Sequence, residues 1–320
     1  MLILTAADVR AAVSMKTAIQ AVREGFIALS TGKATVPVRT AMPVDGNTTL
    51  TMPAYIHGSP VSAVKIISVY GSNPARGLPV VIGSVLALDA ATGQPLALMD
   101  GPSLTALRTG AGGGLAADLL ASPTASTLGV IGAGVQARTQ VEAVLAVRPI
   151  RRIRVYSPRS AEAFATELRT HYPELDIAAA PTRGAALDGA AIVVAATTSA
   201  APVVFLRDLM PGAHVTGVGS YRPDMQEIAA DVVAHARVVV DHRESIWHEA
   251  GDLIIPRDAG LLSDVHAEIG EVAAGLKPGR ERADEITFFK SVGNAVQDAA
   301  VARCVVEGAA ALGLGTKAAL

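Results

Sequence analysis

Three basic residues stand in company that ordinarily excludes charge. Arg39 lies within Val-Pro-Val-Arg-Thr, Lys65 within Ser-Ala-Val-Lys-Ile-Ile and Arg108 within Leu-Thr-Ala-Leu-Arg-Thr-Gly. Lys65 belongs to a strand-like run, where burying an ammonium without a partner is costly. If the three converge they suit a substrate carboxylate, each charge-assisted hydrogen bond contributing about 1.5–3 kcal/mol. Three separate structural ion pairs would use the same residues, and spacing alone does not choose between the two readings.

A second constellation is Gly132-Ala133-Gly134-Val135-Gln136-Ala137, directly after the apolar run 128–131 and before a helical pattern through Val141 and Leu145. Gly132 permits a tight turn and Gly134 lets backbone approach a pyrophosphate. Ala137 keeps the helix close to the sheet, and the helix N-terminus faces the negative charge. A strand before and a helix after give this short motif its weight as a dinucleotide site. Cofactor choice is read at the end of the next strand, where NAD favours an acid for the ribose hydroxyls. The segment there is Tyr156-Ser157-Pro158-Arg159-Ser160, without an acid. Its hydroxyls and guanidinium suit a 2′-phosphate, so NADP(H) is expected in preference to NAD(H). Three further loops offer small residues and polar groups to a nicotinamide: Thr197-Thr198-Ser199, Val218-Gly219-Ser220 and Ser291-Val292-Gly293-Asn294. Val218, Gly219, Ser291 and Gly293 join the three hydroxyl residues 197–199 as candidate cofactor contacts.

The pattern of elements must place these groups. Thr5 with Asp8, and Ser14 ahead of Ile19, Val22, Phe26 and Leu29, predict two short helices, the second stopped at Gly32. Runs 61–69 and 80–88, parted by Gly/Pro/Asn turns, predict an antiparallel or mixed sheet. Residues 103–120 are again helical. From Ser126 apolar strand candidates at 128–131, 153–156, 177–179, 191–196, 214–218 and 238–241 alternate with crossovers, which describes a six-stranded, parallel, doubly wound sheet. The tail 286–311 holds an Ala/Val helix too apolar to stand alone, and the N-terminal domain is the surface expected to receive it. The fold class is therefore α/β, a Rossmann sheet plus an α+β domain. Residues 1–122, completed by 292–320, form the substrate and dimerisation domain, and 123–291 the nucleotide domain.

Composition excludes several classes. The 320 residues carry 27 Lys and Arg against 29 Asp and Glu, which supplies no basic field for nucleic acid. A single thiol, Cys304, excludes a disulfide framework and is read as buried and inert. The seven histidines are scattered, with His242 and His248 too far apart for one helical face, so no metal site is expected. No Gly-x-Ser-x-Gly elbow is present. The N-terminal segment lacks the pattern of a signal peptide and no run is long enough to span a bilayer. A cytoplasmic protein without membrane or nucleic-acid partners is expected. The low charged fraction, 18%, points to surface covered in an oligomer.

Together these segments resemble the ornithine cyclodeaminase/mu-crystallin family across most of the chain. The resemblance runs through Met52-Pro-Ala-Tyr55, Lys65 with 71–79, Leu104-Thr-Ala-Leu-Arg108-Thr-Gly110-Ala, the glycine motif continued to Arg138, Tyr156-Ser-Pro-Arg159, Arg222-Pro-Asp224 and Phe289-Lys-Ser291-Val-Gly293. It implies a homodimer in which Arg39, Lys65 and Arg108 hold the substrate carboxylate and Lys65 also lies near the reacting nitrogen. Lys65 is then the catalytic candidate. The shared chemistry would be hydride exchange between nicotinamide and a carbon bearing nitrogen and carboxylate. Asp298 on the tail helix suits an active-site contact in such a protein, and equally a cap or an ion pair. His57 could border the substrate pocket, although a surface turn is the plainer reading.

One departure selects among activities. Cyclodeaminases of the family carry Gly-Asp-x-Pro after the fifth strand, whereas this chain has Gly219-Ser220-Tyr221-Arg222-Pro223-Asp224. Tyr221 is a poor carboxylate substitute at neutral pH, and Asp224 is displaced by three residues. The expected activity is NAD(P)H-dependent reduction of a cyclic ketimine carboxylate, pyrroline-2-carboxylate or piperideine-2-carboxylate, to the cyclic amino acid. Ornithine cyclodeamination, alanine dehydrogenation and a non-catalytic small-molecule-binding role follow in that order.

Overall fold

The computed structural model describes residues 1–319. The chain opens with β1 (Leu2–Leu4), α1 (Ala6–Ala12), α2 (Met15–Ser30), β2 (Ala34–Thr35), β3 (Thr40–Val44), β4 (Asn47–Ile56), β5 (Val61–Val69), β6 (Val81–Asp89), β7 (Pro95–Asp100) and α3 (Gly101–Leu120). There follow β8 (Thr127–Ile131), α4 (Val135–Val147), β9 (Arg152–Tyr156), α5 (Ala161–His171), β10 (Asp176–Ala179), α6 (Arg183–Leu187), β11 (Ile192–Ala195) and β12 (His214–Gly217). It ends with α7 (Ala230–His235), β13 (Arg237–Val240), α8 (Arg243–Glu249), α9 (Gly251–Asp258), β14 (Ala267–Glu268), α10 (Ile269–Ala273), β15 (Thr287–Lys290), α11 (Ala295–Leu312) and β16 (Thr316–Lys317).

Two compact units result: Met1–Arg108 with the chain from Asn294 onward, and Thr109–Gly293. Sequence patterning sets the divisions at 122 and 291 instead. The difference has a physical source in α3, which runs unbroken through the first division, so no linker composition marks it.

In the first unit the sheet order is β16-β1-β7-β6-β5-β4-β2, with β3 on β4; β1 runs parallel to β7 and its other pairings are antiparallel. Thr5 and Asp8 close a capping box on α1, and the Ser14 side chain caps α2. Strand β5 alternates strictly over its first seven residues: Val61, Ala63, Lys65 and Ile67 turn inward while Ser62, Val64 and Ile66 turn out. The tail helix α11 buries Val296, Ala299, Ala300, Cys304 and Val305 in this same unit. It comes so close to α1 that a Cβ on Gly308 would lie 2.1 Å from the Ala12 carbonyl oxygen.

The second unit is an all-parallel sheet in the order β10-β9-β8-β11-β12-β15-β13-β14. All six expected strands are present within a residue or two. Two more extend the six-stranded expectation to eight. One is the short edge strand β14. The other, β15, is Thr287-Phe-Phe-Lys290, fully buried between β12 and β13. The tail helix therefore begins only at Ala295. Four residues, two of them apolar, just ahead of an Ala/Val-rich helix in sequence carry no period that separates a buried strand from a helical turn. Apolar clusters cover both faces, one around Val130, Val155, Val141 and Phe164, the other around Val193, Val215, Phe288 and Leu253. Among the described residues no helix is long and apolar enough to cross a membrane.

Candidate active site

The alternation of β5 carries Lys65 into the interior of the first unit, where it is 1% exposed. Its ammonium lies 2.7 Å from Asp298 Oδ2, and Arg108 Nε lies 3.2 Å from Asp298 Oδ1. Two buried cations thus share one buried carboxylate. The first turn of α11 fixes that carboxylate. Asn294 caps the helix through Val296 N–H, and Gln297 Oε1 accepts both Asn294 N–H and Arg108 Nη1, at 3.0 and 2.9 Å. Gln297 Nε2 donates back to the Arg108 backbone carbonyl at 3.1 Å, so one amide holds both the backbone and the guanidinium of Arg108.

Burial first, then the positive charges of Arg108 and Arg39, lower the Lys65 pKa against the raising influence of Asp298, to about 8 in all. Arg39, half-buried just before β3, therefore acts on the same ammonium. Of the three predicted cations, Lys65 and Arg108 meet on one partner and Arg39 bears electrostatically on Lys65. Gln297 is a residue that sequence reasoning missed, and Asp298 turns out to be the ion-pair partner of both cations.

In the second unit Gly132 has φ +114°, and a Cβ there would stand 2.3 Å from the Ala196 carbonyl oxygen. Only glycine fits this turn. Gly134 is the N-cap of α4 and makes no side-chain cap; nothing lies within 4 Å of where its Cβ would be. The first-turn N–H groups of α4 thus face an open cradle, the chemistry that a pyrophosphate needs. Ala137 is buried against the sheet, Gln136 half-buried and Val135 exposed. Arg138 braces the turn from behind, donating to the Ala133 and Gly134 carbonyls at 2.7 and 3.2 Å while paired with Glu167 and stacked on Phe164. The loop after β9 presents half-buried Ser157 with exposed Arg159 and Ser160, and no carboxylate lies between Tyr156 and α5. These residues fit a dinucleotide.

Because β11, β12 and β15 are adjacent and parallel, the loops after them share one edge of the sheet. Thr197, Ser199, Val218 and Gly219 are half-buried there, Thr198 is exposed, and Ser291 and Gly293 are buried. Asp241 fixes the third loop, accepting Ser291 Oγ at 2.8 Å, Val292 N–H at 2.9 Å and Gly293 N–H at 2.7 Å. Sequence reading singled out none of the charged residues Asp241, Glu227, Asp252 and Lys290 that hold these loops. Tyr221 is 51% exposed, and Asp224 is an exposed partner of Arg222 at 2.9 Å. Neither provides a buried carboxylate base. Among the described residues no three His, Cys, Asp or Glu side chains group as a metal ion would require.

Known proteins resemble this chain over nearly its whole length. The family model for the ornithine cyclodeaminase/mu-crystallin family covers residues 1–312. A Delta(1)-pyrroline-2-carboxylate reductase of Bacillus cereus is 38% identical over 99% of each chain. The solved Delta(1)-pyrroline-2-carboxylate reductase of Thermococcus litoralis, in complex with NADH and L-proline, is 41% identical. It superposes with a TM-score of 0.94 over 99% of this chain and 100% of its own. A solved archaeal alanine dehydrogenase dimer with bound NAD is 36% identical with a TM-score of 0.92, covering 100% of this chain and 99% of its own. Matched over nearly its full length by the family model and by these relatives, the chain belongs to the ornithine cyclodeaminase/mu-crystallin family.

Proposed function

We propose that the protein reduces a cyclic ketimine carboxylate, pyrroline-2-carboxylate or piperideine-2-carboxylate, to the cyclic amino acid, with NADPH preferred over NADH. The observation that carries the reading is the buried pair of cations, Lys65 and Arg108, sharing the single carboxylate of Asp298. A substrate anion completes that charge set. The similarity to reductases named for pyrroline-2-carboxylate supplies the chemical class.

In this reading Arg108 and Arg39 grip the substrate carboxylate through charge-assisted hydrogen bonds and fix the carbon beside it. Lys65 donates a proton to the substrate nitrogen, because its pKa of about 8 leaves it charged near neutrality yet willing to give up the proton. Asp298 favours the ammonium form and so reloads Lys65 after turnover. The dihydronicotinamide, when bound, supplies the hydride that the imine carbon accepts. One hydride and one proton added across C=N give the amine and balance the reaction.

The NADPH preference rests on Ser157, Arg159 and Ser160 standing where an NAD-selective site has an acid. A homodimer is supported by apolar residues left on the outer face of the first unit's sheet, among them Ile66 and Ile82, 47% and 43% exposed. A cytoplasmic location agrees with one buried, unpaired thiol at Cys304. The test follows oxidation of NADPH and of NADH with each imine, beside ammonia release from ornithine with NAD. Imine-dependent oxidation, faster with NADPH and without ammonia from ornithine, is expected. Ammonia from ornithine with inert imines would replace the reductase by a cyclodeaminase, and a preference for NADH would remove Arg159 as a phosphate reader.

A further inference from the structure

The second unit buries three charged side chains that the reduction itself does not use. Glu227, Asp252 and Lys290 are each 0% exposed. Glu227 follows β12, and its carboxylate receives three backbone donors from two different loops. Thr197 N–H reaches Oε1 at 2.6 Å, while Gly219 N–H and Ser220 N–H reach Oε2 at 2.5 and 3.1 Å. Asp252, on α9, accepts the backbone N–H groups of Glu227 and Ile228 at 2.6 and 2.9 Å. Its other oxygen lies 2.8 Å from Lys290 Nζ at the end of β15. Lys290 closes the ring by donating to the Ser220 carbonyl at 2.6 Å.

Three donors aimed at one carboxylate require a group that only accepts. Burial pushes the Glu227 carboxyl up, and the Lys290 ammonium opposes that shift. The loops are also in direct contact: a Cβ on Gly219 would lie 2.1 Å from the Thr197 carbonyl oxygen and 2.5 Å from Glu227 Oε1. The loops after β11 and β12 are therefore tied together by a single side chain. Position gives that tie a purpose. In a doubly wound sheet the first three strands serve one mononucleotide and the strands beyond the switch point the other. The glycine turn follows β8, and β11 and β12 lie on the far side of β8 from β9 and β10.

We propose that Glu227, steadied by Asp252 and Lys290, is a positioning residue for the nicotinamide half of the dinucleotide, holding loops 197–199 and 218–220 as one surface. The inference rests on the dinucleotide reading above and deepens it. Replacing Glu227 by Gln keeps the side-chain length but turns an N–H2 group toward at least one of the three backbone donors. One loop must then withdraw.

The test is equilibrium binding to the full chain, with NADPH against ADP-ribose carrying a 2′-phosphate, which shares everything but the nicotinamide. In Glu227→Gln the Kd for NADPH rises at least tenfold while that for phospho-ADP-ribose changes less than twofold. Gly219→Ala presses on the same loop with all three charges in place and gives the same split, so a folding failure of the first variant leaves the inference exposed to the second. Equal weakening of both ligands would reduce Glu227 to general scaffolding, and unchanged NADPH affinity would also overturn the inference. Wild-type protein that binds neither ligand would overturn the dinucleotide reading itself.

Discussion

Each unit buries a lysine at a strand position, and the two lysines have opposite surroundings. Around Lys65 two cations meet one carboxylate, and Asp298 is the partner of both. Around Lys290 one ammonium pairs with Asp252 and acts electrostatically on Glu227, and five backbone N–H groups converge on those two carboxylates. Surplus negative charge satisfied by the protein's own amides is architecture. Surplus positive charge without such compensation suits, in the function proposed above, the carboxylate of a substrate. The lowered pKa of Lys65 expresses the same contrast, because burial and neighbouring cations leave its proton loosely held.

Exchanging each lysine for methionine is the sharpest way to break this comparison. Lys290→Met leaves Asp252 and Glu227 buried without their cation, and a stability loss of about 3–5 kcal/mol is expected in urea unfolding. Lys65→Met leaves Asp298 paired with Arg108, so stability holds while kcat for imine reduction falls by two orders of magnitude or more, as loss of a general acid implies. Similar stability losses at both positions would erase the distinction. Next in size, Arg108→Ala lowers kcat/KM for the imine at least tenfold with NADPH affinity little changed. Turnover that survives it intact would refute the carboxylate grip.

The smallest effect concerns pH. Lys65 must carry its proton to act, so reductive kcat/KM is level below about 8 and declines above it. Asp298 favours the charged form, and Asp298→Asn therefore moves the decline to lower pH. A shift the other way would contradict the assigned electrostatics.

Local signals made parts of the molecule readable from sequence. The glycine turn is a continuous motif whose backbone demand is met by residue type alone, and it sits where strand and helix patterns require. Lys65 announces itself because a charge interrupts an alternating apolar strand. The same kind of signal exists at Lys290, a lysine ending Thr-Phe-Phe-Lys, but it is obscured because β15 is followed so soon in sequence by an apolar helix. Glu227 and Asp252 carry no such mark. In sequence they look like solvated acids, and their role arises only when distant backbone segments point N–H groups at them. Gln297 is equally silent, since its partner lies 189 residues earlier.

The completion of the first unit by α11 has a consequence for the order of synthesis. Lys65 and Arg108 leave the ribosome long before Asp298, with the whole span Thr109–Gly293 translated in between. The later-made unit has all of its strands before the earlier one receives its counter-ion, reversing the usual N-terminal-first sequence of domain folding. A chain cut short before α11 thus holds every strand of the second unit, while Lys65 and Arg108 lack the carboxylate of Asp298 that pairs with both.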